Sequence, residues 1–417
     1  MRVDENGNWR SFRHRNFRIL FPANALSNIG TWVQIVAQDW LVLQLTDNNG
    51  FYLGLVTAIQ FLPVMLLSLH GGVLADRVDK RKLLIATNTL AALACYALGI
   101  LVVAEVIELW HVFVCAAVLG IASAIDAPIR QSFTAEIVGK ADLPIAVSLN
   151  SANLNLARLI GPGLSGLLIA AFGTGPSFLL NAVSYLFIIT ALLFLRERDM
   201  FIENKPNLNA KISEAFRYVK ARPDIYAVMI TVFFTATFGL NFMLFNTLMT
   251  TKVFGKGAAA YGALGSILAI GSLTGALISA RLEKKRHPSY VMRGSALFGV
   301  IVVIESFAPT FTVYACLLPI GGCIALLTLV SANSMVQVRT DPAIRGRVMG
   351  IYLTIFMGGT PFGSPLIGAT TDLIGIRPTI AVCGGISLFA SLYIWFKYKN
   401  RVALPADISV AAVLKDR

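Results

Sequence analysis

The stretch GGVLADRVDKRKLL, residues 71–84, lies between two long apolar runs and has six charged residues at positions 76–82. Charged breaks of this kind are typical of the short loops that join membrane-spanning helices. Across the 417 residues of the chain, 56% are hydrophobic and 14% are charged. Soluble globular proteins carry about 25% charged residues. The composition therefore predicts a membrane protein rather than a set of soluble domains.

Apolar runs of about 20 residues, the length at which a helix crosses the hydrocarbon core of a bilayer, recur along the chain. None of them alternates apolar and polar residues as the strands of a transmembrane barrel do. We predict an all-α membrane protein with twelve spans, at 17–45, 51–75, 83–104, 109–130, 141–172, 175–196, 223–253, 257–281, 289–308, 310–337, 343–373 and 376–400.

The basic residues are distributed to one side of these spans. The net charge is +13, and all but four of the 35 lysines and arginines lie in the terminal segments, in loops after even-numbered spans, or at the span ends that adjoin them. The exceptions are Lys252, Lys256, Arg377 and Arg158. The positive-inside rule therefore predicts that both termini are cytoplasmic. This distribution argues against a basic nucleic-acid-binding surface, and we expect no nucleic-acid partner.

The longest polar interruption divides the spans into six and six. We predict an N-terminal bundle with its cytoplasmic arm at 1–196, a cytoplasmic linker at 197–222, a C-terminal bundle at 223–400 and a cytoplasmic tail at 401–417. Within the linker, Ile212, Phe216 and Val219 share one face of a predicted interfacial helix. A solvated linker with weak helicity is the alternative.

The two halves resemble each other in sequence. A shift of 202 residues aligns IGPGLSGLLIAAFGTGPSFLL (160–180) with FGSPLIGATTDLIGIRPTIAV (362–382). Gly161, Gly166 and Gly173 then fall on glycines, and Pro176 falls on a proline. The fifth and eleventh spans are thus equivalent members of two six-span repeats.

Two such repeats, together with Gly72, Asp76, Arg77, Asp79 and Lys80, resemble the major facilitator superfamily. The superfamily's motif after the second span is Gly-x-x-x-Asp-Arg-x-Gly-Arg-Arg/Lys, and Asp79 replaces its second glycine. The resemblance covers the whole chain and implies twelve helices in two pseudo-symmetric six-helix bundles.

In this superfamily the motif works as a conformational latch. The resemblance implies that Gly72, Asp76, Arg77 and Lys80 form it, with Asp126 at the end of the fourth span as a partner of Lys80. A carboxylate at position 76 suits the N-terminus of the eleventh span, because that helix end has unpaired N–H groups. An ordinary basic loop is the alternative, and it accounts poorly for Asp76.

Five segments are similar to the bacterial drug and siderophore exporter branch, which includes enterobactin exporters and macrolide efflux pumps: 15–32, 38–46, 61–84, 126–133 and 149–168. This resemblance implies a monomeric exporter of amphipathic small molecules in the bacterial cytoplasmic membrane, driven by proton antiport. The alternatives are a lysophospholipid flippase, a solute importer on the same fold, and a receptor that has lost transport.

Ionisable residues inside spans are functional candidates, because burying a charge in the membrane is costly. Asp39 in the first span is the candidate for proton coupling. The alternative is a carboxylate that is simply exposed to water near the outer end of that span. Arg158 in the fifth span suits either an anionic group of the substrate or a structural carboxylate. Glu305 lies near the end of the ninth span, where we expect its side chain to snorkel to water.

Polar and aromatic side chains at helical spacing are candidates for a substrate cavity. Lipid-facing packing is the alternative for any one aromatic residue. The candidates, besides Arg158, are Gln34, Gln38, Phe61, Asn153, Phe234, Phe238, Asn241 and Phe242.

The segment GPGLSG at 161–166 has the spacing of a dinucleotide-binding motif, but it lies inside an apolar span rather than after a strand. We instead expect Gly161, Pro162, Gly163 and Gly166 to kink the helix and to let the eighth span or another neighbour pack closely. The chain has no ATP-binding motif of the G-x-x-x-x-G-K-[ST] type, and its four histidines are scattered. We therefore expect no enzyme activity, cofactor or metal.

Overall fold

The computed structural model describes residues 10–77, 79–201, 212–281, 287–341 and 344–399. Within these ranges the regular structure is helical and no strand is present, as the length of the apolar runs predicts. The α-helices are α1 (Arg15–Leu45), α2 (Gly50–Arg77), α3 (Lys80–Val103), α4 (Leu109–Phe172), α5 (Gly175–Leu193), α6 (Ile212–Ala221), α7 (Pro223–Phe234), α8 (Phe242–Leu248), α9 (Ala258–Arg281), α10 (Pro288–Ser306), α11 (Phe311–Arg339), α12 (Arg345–Gly358), α13 (Thr360–Ile374) and α14 (Ile376–Tyr398). Two π-helical turns, Thr235–Gly239 and Met249–Val253, flank α8.

Nine helical segments of the described residues are long and apolar enough to cross a bilayer. One of them, α4, is 64 residues long and covers the predicted fourth and fifth spans. Helix α1 matches the predicted first span, and α12 with α13 matches the eleventh. The described helices are therefore consistent with twelve crossings, and the chain is a multi-pass helical membrane protein.

Helix α4 turns at Gly139, where the two predicted spans meet. This residue has φ 69° and ψ 170°, a conformation that glycine adopts at little cost. The ring of Phe201 covers the glycine, and a Cβ there would come within 3.2 Å of the ring. The backbone N–H of Phe201 also donates to the carbonyl of Glu136 over 2.7 Å. These contacts hold the turn between the two arms of α4.

The internal repeat is visible in the backbone. Helices α4 and α13 each end at a glycine with positive φ, Gly173 at 77° and Gly375 at 88°. Each glycine donates its N–H to a carbonyl four residues earlier, at Ile169 and Thr371 respectively. In both cases the next helix begins within two residues. The sequence equivalence of 160–180 and 362–382 thus extends to the way the two helices end.

The chain forms two compact units. The first unit comprises 1–47, 59–207 and 256–266, and the second comprises 48–58, 208–255 and 267–417. The start of α2 therefore belongs with helices of the second half of the sequence, and the start of α9 belongs with helices of the first half. These two exchanged segments contribute residues to the candidate site described below. The predicted domain boundaries at 196 and 223 follow the sequence repeat instead, and they stay a prediction.

Each unit has its own apolar core. Phe17, Leu84 and Phe133 are buried together in the first unit. In the second unit, helix α6 contributes Ala215, Tyr218 and Val219 to a buried cluster with α7, α11 and α12. A helix therefore forms within the predicted linker.

Of the residues predicted to share a face of α6, Val219 is buried and Phe216 is 58% exposed. The side chain of Ile212 lies outside the described residues. Arg222, directly after α6, is buried and makes a bidentate pair with Asp224 at 2.8 and 2.9 Å. Tyr218 also accepts a hydrogen bond from Arg222. Tyr218 is thus buried beside this polar pair at the end of α6.

The N-terminal segment is anchored to the turn of α4. Asp142 is buried, and its carboxylate accepts hydrogen bonds from Arg10 at 2.5 Å and Arg13 at 3.0 Å. The His14 ring lies 2.7 Å from the same carboxylate. The Ser11 hydroxyl donates to the backbone carbonyl of Asp142. One carboxylate thus holds three side chains of the segment before α1.

Candidate functional site

Asp39 lies in α1 and is only 6% exposed. Its Oδ2 accepts a hydrogen bond from the hydroxyl of Tyr261, at the start of α9, over 2.8 Å. The Tyr261 ring stacks on Trp40 with ring centroids 6.2 Å apart. Among the described residues no cationic side chain pairs with Asp39. The predicted coupling residue is thus a buried carboxyl group with a phenol as its hydrogen-bond partner.

A chain of glutamines runs from α1 to α2 within the first unit. Gln34 donates to Gln38 over 2.9 Å, and Gln38 donates to Gln60 over 3.0 Å. Gln34 and Gln38 are buried, so these amides satisfy each other instead of facing open water. Phe61, next to Gln60, is half-buried. Three of the predicted cavity residues therefore lie on neighbouring parts of α1 and α2.

Arg158 has a ring as its neighbour rather than an acid. Its guanidinium lies 5.3 Å from the ring centroid of Trp32 in α1, a cation–π distance. Its Nε is buried without a hydrogen-bond partner, and no carboxylate of the described residues pairs with it. The structural-carboxylate interpretation of Arg158 finds no support in these contacts. Asn153 in the same helix is also buried, and its Nδ2 lacks an acceptor.

The glycines of the GPGLSG segment lie at close helix contacts. A Cβ at Gly161 would collide with Trp32, and a Cβ at Gly166 would collide with the backbone of Ala258 and Gly262 in α9. Gly163 lies against Ser266, also in α9. Pro162 faces Gly265. The eighth predicted span is therefore the neighbour of Pro162, Gly163 and Gly166, whereas Gly161 faces α1.

Ser266 bridges two backbone groups of α4 beside Pro162. Its hydroxyl accepts from the N–H of Gly163 at 3.1 Å and donates to the carbonyl of Leu159 at 2.6 Å. A regular α-helix joins those two groups directly. A side chain placed in this ladder is a known cause of helix bending.

The aromatic stripe predicted for the seventh span is divided. Phe234 and Phe238 stack with ring centroids 6.4 Å apart and are half-buried. Phe242 is 8% exposed and instead packs edge-on against Phe298 of α10. The π-helical turn at Thr235–Gly239 changes the rotation per residue, so Phe242 does not continue the stripe.

Asn241 also has a structural partner. Its amide donates to the carbonyl of Thr237 at 2.8 Å, and its oxygen accepts from the hydroxyl of Ser364 in α13 at 2.9 Å. Both hydrogen bonds are buried. This pattern ties the break between α7 and α8 to α13 and differs from the cavity contact expected for Asn241.

The predicted latch is described only in part. Gly72, Asp76 and Arg77 fall in a part of α2 whose side chains lie outside the described residues. Asp79 caps α3 by accepting from the N–H of Lys82 at 3.2 Å. Lys80 pairs with Glu136, not with Asp126. The acid near the end of the fourth span is thus Glu136, because α4 continues for 13 residues beyond position 126 before it turns at Gly139.

Asp126 instead belongs to a polar network inside the first unit. It makes a bidentate pair with Arg130 at 2.6 and 2.9 Å, and it accepts from Asn88 at 2.8 Å. Arg130 also bonds to Asn24. The network borders a polar cavity of about 160 Å³. The charges of Asp126 and Arg130 in this network neutralise each other.

Asp372, in α13, is a residue that the sequence analysis missed. Its carboxylate accepts from the N–H groups of Gly50 at 3.0 Å and Phe51 at 2.9 Å, the first residues of α2. Lys252 donates to the same carboxylate at 2.8 Å. A Cβ at Gly50 or Gly368 would collide with the facing helix, so the two helices meet almost backbone to backbone. We call Asp372, Gly50, Phe51 and Lys252 the Asp372 clamp.

Glu305 does not snorkel as expected. Its side chain is 2% exposed, and Oε1 has no hydrogen-bond partner. Position 305 is one residue before the end of α10, but the side chain points against Gly321 of α11 rather than towards water. The absent side chain at Gly321 leaves room for the carboxyl group.

Three partners were missed for identifiable reasons. Gln60 and Tyr261 are isolated polar groups in apolar runs, and each becomes informative only when the facing helix is known. Lys252 departs from the one-sided distribution of basic residues, which was a usable signal for an acid nearby. No group of three or more His, Cys, Asp or Glu in the described residues is placed to hold a metal ion.

Curated relatives match this chain over most of its length. It is 25% identical to the staphyloferrin A transporter of Staphylococcus aureus (strain NCTC 8325 / PS 47), over 91% of this chain and 95% of that protein. It is 28% identical to the multidrug efflux pump Tap of Mycolicibacterium fortuitum, over 87% and 90%. It is 23% identical to the enterobactin exporter EntS of Salmonella choleraesuis (strain SC-B67), over 89% of each.

The fold has solved counterparts. A bacterial homolog of the human lysosomal transporter Spinster, in an inward-facing and unoccupied conformation, superposes with a TM-score of 0.76 over 97% of this chain and 98% of that chain, at 14% identity. The family model described as "Transmembrane secretion effector" matches residues 6–413. The chain therefore belongs to the transmembrane secretion effector family of major facilitator transporters, which are not enzymes.

Proposed function

We propose that this transporter is an exporter of amphipathic small molecules, driven by proton antiport through alternating access. Two relatives are named as an efflux pump and an exporter, which supports this direction of transport. The proposal also includes a monomeric protein in the bacterial cytoplasmic membrane with both termini in the cytoplasm. The one-sided distribution of basic residues supports that orientation.

The observation that carries the proposal is that Asp39 and Arg158, two ionisable side chains in spans of the first unit, have no charge partner among the described residues. Asp126 and Asp224, by contrast, are paired with Arg130 and Arg222 respectively. An unpaired ionisable group within a membrane protein is costly, and it persists where function needs it. Asp39 therefore suits a positively charged ligand, and Arg158 suits a negatively charged one.

Asp39 suits a proton. A buried carboxyl group can hold a proton while it is shielded and lose it when water reaches it. Its bond to Tyr261 links α1 to α9, two helices from different halves of the sequence. Movement of α9 relative to α1 would change the environment of Asp39, which is what coupling requires.

Arg158 suits an anionic group of the substrate. A guanidinium binds carboxylates through paired, charge-assisted hydrogen bonds. Trp32 beneath it provides an apolar surface for the rest of an amphipathic molecule. Among drugs, macrolides and siderophores, this combination favours siderophores, because chelators of iron carry anionic oxygen ligands. Two relatives are named for staphyloferrin A and enterobactin.

The Asp372 clamp supports alternating access. It joins the first turn of α2 to α13 and to Lys252, so spans two and eleven cannot separate at that end without losing its three hydrogen bonds. A carboxylate at a helix N-terminus is stabilised by the unpaired N–H groups and the helix dipole. We expect the clamp to form in one state of the transport cycle and to break in the other.

The direct test measures uptake into inside-out vesicles with an acidic lumen. Three labelled compounds are compared: a carboxylate-bearing siderophore, a neutral macrolide and a lysophospholipid. The proposal predicts uptake of the siderophore that stops when the pH gradient is removed. Lipid movement that persists without the gradient would favour the flippase alternative. Accumulation only in right-side-out vesicles would favour an importer.

A further inference from the structure

Glu305 is a second buried carboxyl group, and it lies in the compact unit that does not contain Asp39. It is on α10, against Gly321 of α11, and its Oε1 accepts no hydrogen bond. An isolated carboxylate removed from water loses its hydration with nothing to replace it. Glu305 therefore needs a positive charge from outside the chain.

The surroundings of Glu305 do not supply that charge. Tyr314 of α11 donates its hydroxyl to Oδ1 of Asn246 in α8 at 2.8 Å. Arg377 of α14 is committed to the backbone carbonyl of Ser306 at 2.9 Å. Its guanidinium lies over the ring of Phe254. No cationic side chain of the described residues thus pairs with Glu305.

A proton fits this position better than a metal ion does. Sodium or calcium would need several oxygen ligands at once. No group of three His, Cys, Asp or Glu in the described part of the chain is placed to bind a metal. The contact with Gly321 also leaves little room beside Oε1. A proton needs one oxygen and removes the charge.

We propose that Glu305 is a proton-binding site that is occupied and emptied during the transport cycle, in addition to Asp39. The proposal rests on the proposed proton-coupled transport. One O–H bond forms when the proton enters from water and breaks when it leaves, with no change in oxidation state. The turn between α10 and α11 is the short route to water, since Glu305 lies one residue before the end of α10.

Infrared spectroscopy of the purified transporter tests occupancy. All variants carry Asp39→Asn so that the Asp39 carboxyl group does not contribute to the signal. We expect a C=O stretching band of a neutral carboxylic acid that weakens as the pH rises. Glu305→Gln should remove this band, and Glu105→Gln, which changes an exposed residue, should retain it. A spectrum of Glu305→Gln with the band unchanged would overturn the proposal.

Proton counting tests exchange. With Asp39 intact, a pH-sensitive dye measures the protons released per transporter when a saturating siderophore is added. Glu305→Gln should release roughly half as many protons as the parent and as Glu105→Gln, if Asp39 and Glu305 each carry one. An infrared band assigned to Glu305 with an unchanged proton count would show a neutral acid with a structural role only, and would overturn the proposal.

The infrared measurement needs no transported substrate. A parent protein that transports no tested compound would contradict the proposed function. The presence or absence of the pH-dependent Glu305 band would still decide whether Glu305 binds a proton. The failure of one proposal is therefore distinguishable from the failure of the other.

Discussion

Tyr261 and Asp39 are joined by a hydrogen bond of 2.8 Å, although 222 positions separate them in the chain. The bond connects α1 to the first turn of α9, and both residues are almost fully buried. Since a buried phenol and a buried carboxyl group each need a partner, the bond satisfies both. It also makes the environment of Asp39 depend on the position of α9.

Arg158 should determine affinity for anionic substrates. We expect Arg158→Ala to raise the KM for a carboxylate-bearing siderophore by about 10- to 100-fold, because charge-assisted hydrogen bonds contribute about 1.5–3 kcal/mol. Arg158→Lys should retain part of the affinity, since lysine keeps the charge but not the planar pair of donors. Initial uptake rates into inside-out vesicles give the KM values.

The matched control is Arg217→Ala, which removes an exposed arginine from α6. A neutral macrolide should show little change of KM in Arg158→Ala. Equal losses for the anionic and the neutral compound would contradict a charge-recognition role for Arg158.

Phe238 and Phe242 should behave differently when they are truncated, despite their regular spacing. Phe242 packs against Phe298, so Phe242→Ala should reduce the free energy of unfolding by about 3–5 kcal/mol. Phe238 is half-buried, so Phe238→Ala should change uptake kinetics with a smaller effect on stability. Thermal unfolding in detergent, compared with uptake, separates the two effects. Equal destabilisation by both changes would contradict this division.

The Asp372 clamp should limit opening of α2 from α13. Asp372→Asn removes the negative charge that faces Lys252 and the N-terminus of α2. This should reduce the free energy that holds the clamp closed by about 1–2 kcal/mol. We expect Thr371→Cys, buried beside the clamp, to react about 5- to 30-fold faster with a membrane-impermeant maleimide when Asp372→Asn is added. Asp47→Asn is the control because Asp47 is exposed. An unchanged labelling rate would contradict a role of the Asp372 clamp in the transport cycle.

Asp142 should contribute to stability rather than to transport. Asp142→Asn leaves Arg10, Arg13 and His14 without their carboxylate, and we expect a loss of roughly 2–3 kcal/mol because the three partners are partly exposed. The apparent Tm in detergent should fall, while the KM for the siderophore stays unchanged. Asp199→Asn, at a less buried acid, is the comparison. A changed KM with an unchanged Tm would contradict this assignment.

The fold could be predicted from local properties of the sequence. Apolar length predicts spans, basic residues predict the side of each loop, and the 202-residue repeat predicts that Gly173 and Gly375 are equivalent positions. These features depend on residues near one another in the chain or on a gapless alignment. Even the turn of α4 at Gly139 separates two runs that the composition already divided.

The arrangement of the candidate site could not be predicted in the same way, because it depends on contacts that no local sequence pattern predicts. Helical spacing places Phe242 with Phe238, but the π-helical turn rotates Phe242 away. Family resemblance supplies Asp126 as the partner of Lys80, whereas the actual length of α4 supplies Glu136. Glu305 could not be assigned as buried, because its position near a helix end is compatible with either direction of the side chain.

The central claim is that proton movement through Asp39 drives export. The most direct test uses inside-out vesicles with an acidified lumen and a pH-sensitive dye, in which siderophore addition is followed by the recovery of dye fluorescence. The account predicts recovery with the parent protein and with Asp47→Asn, and none with Asp39→Asn, although Asp39→Asn still binds the siderophore. Recovery with Asp39→Asn at the parent rate would contradict the account.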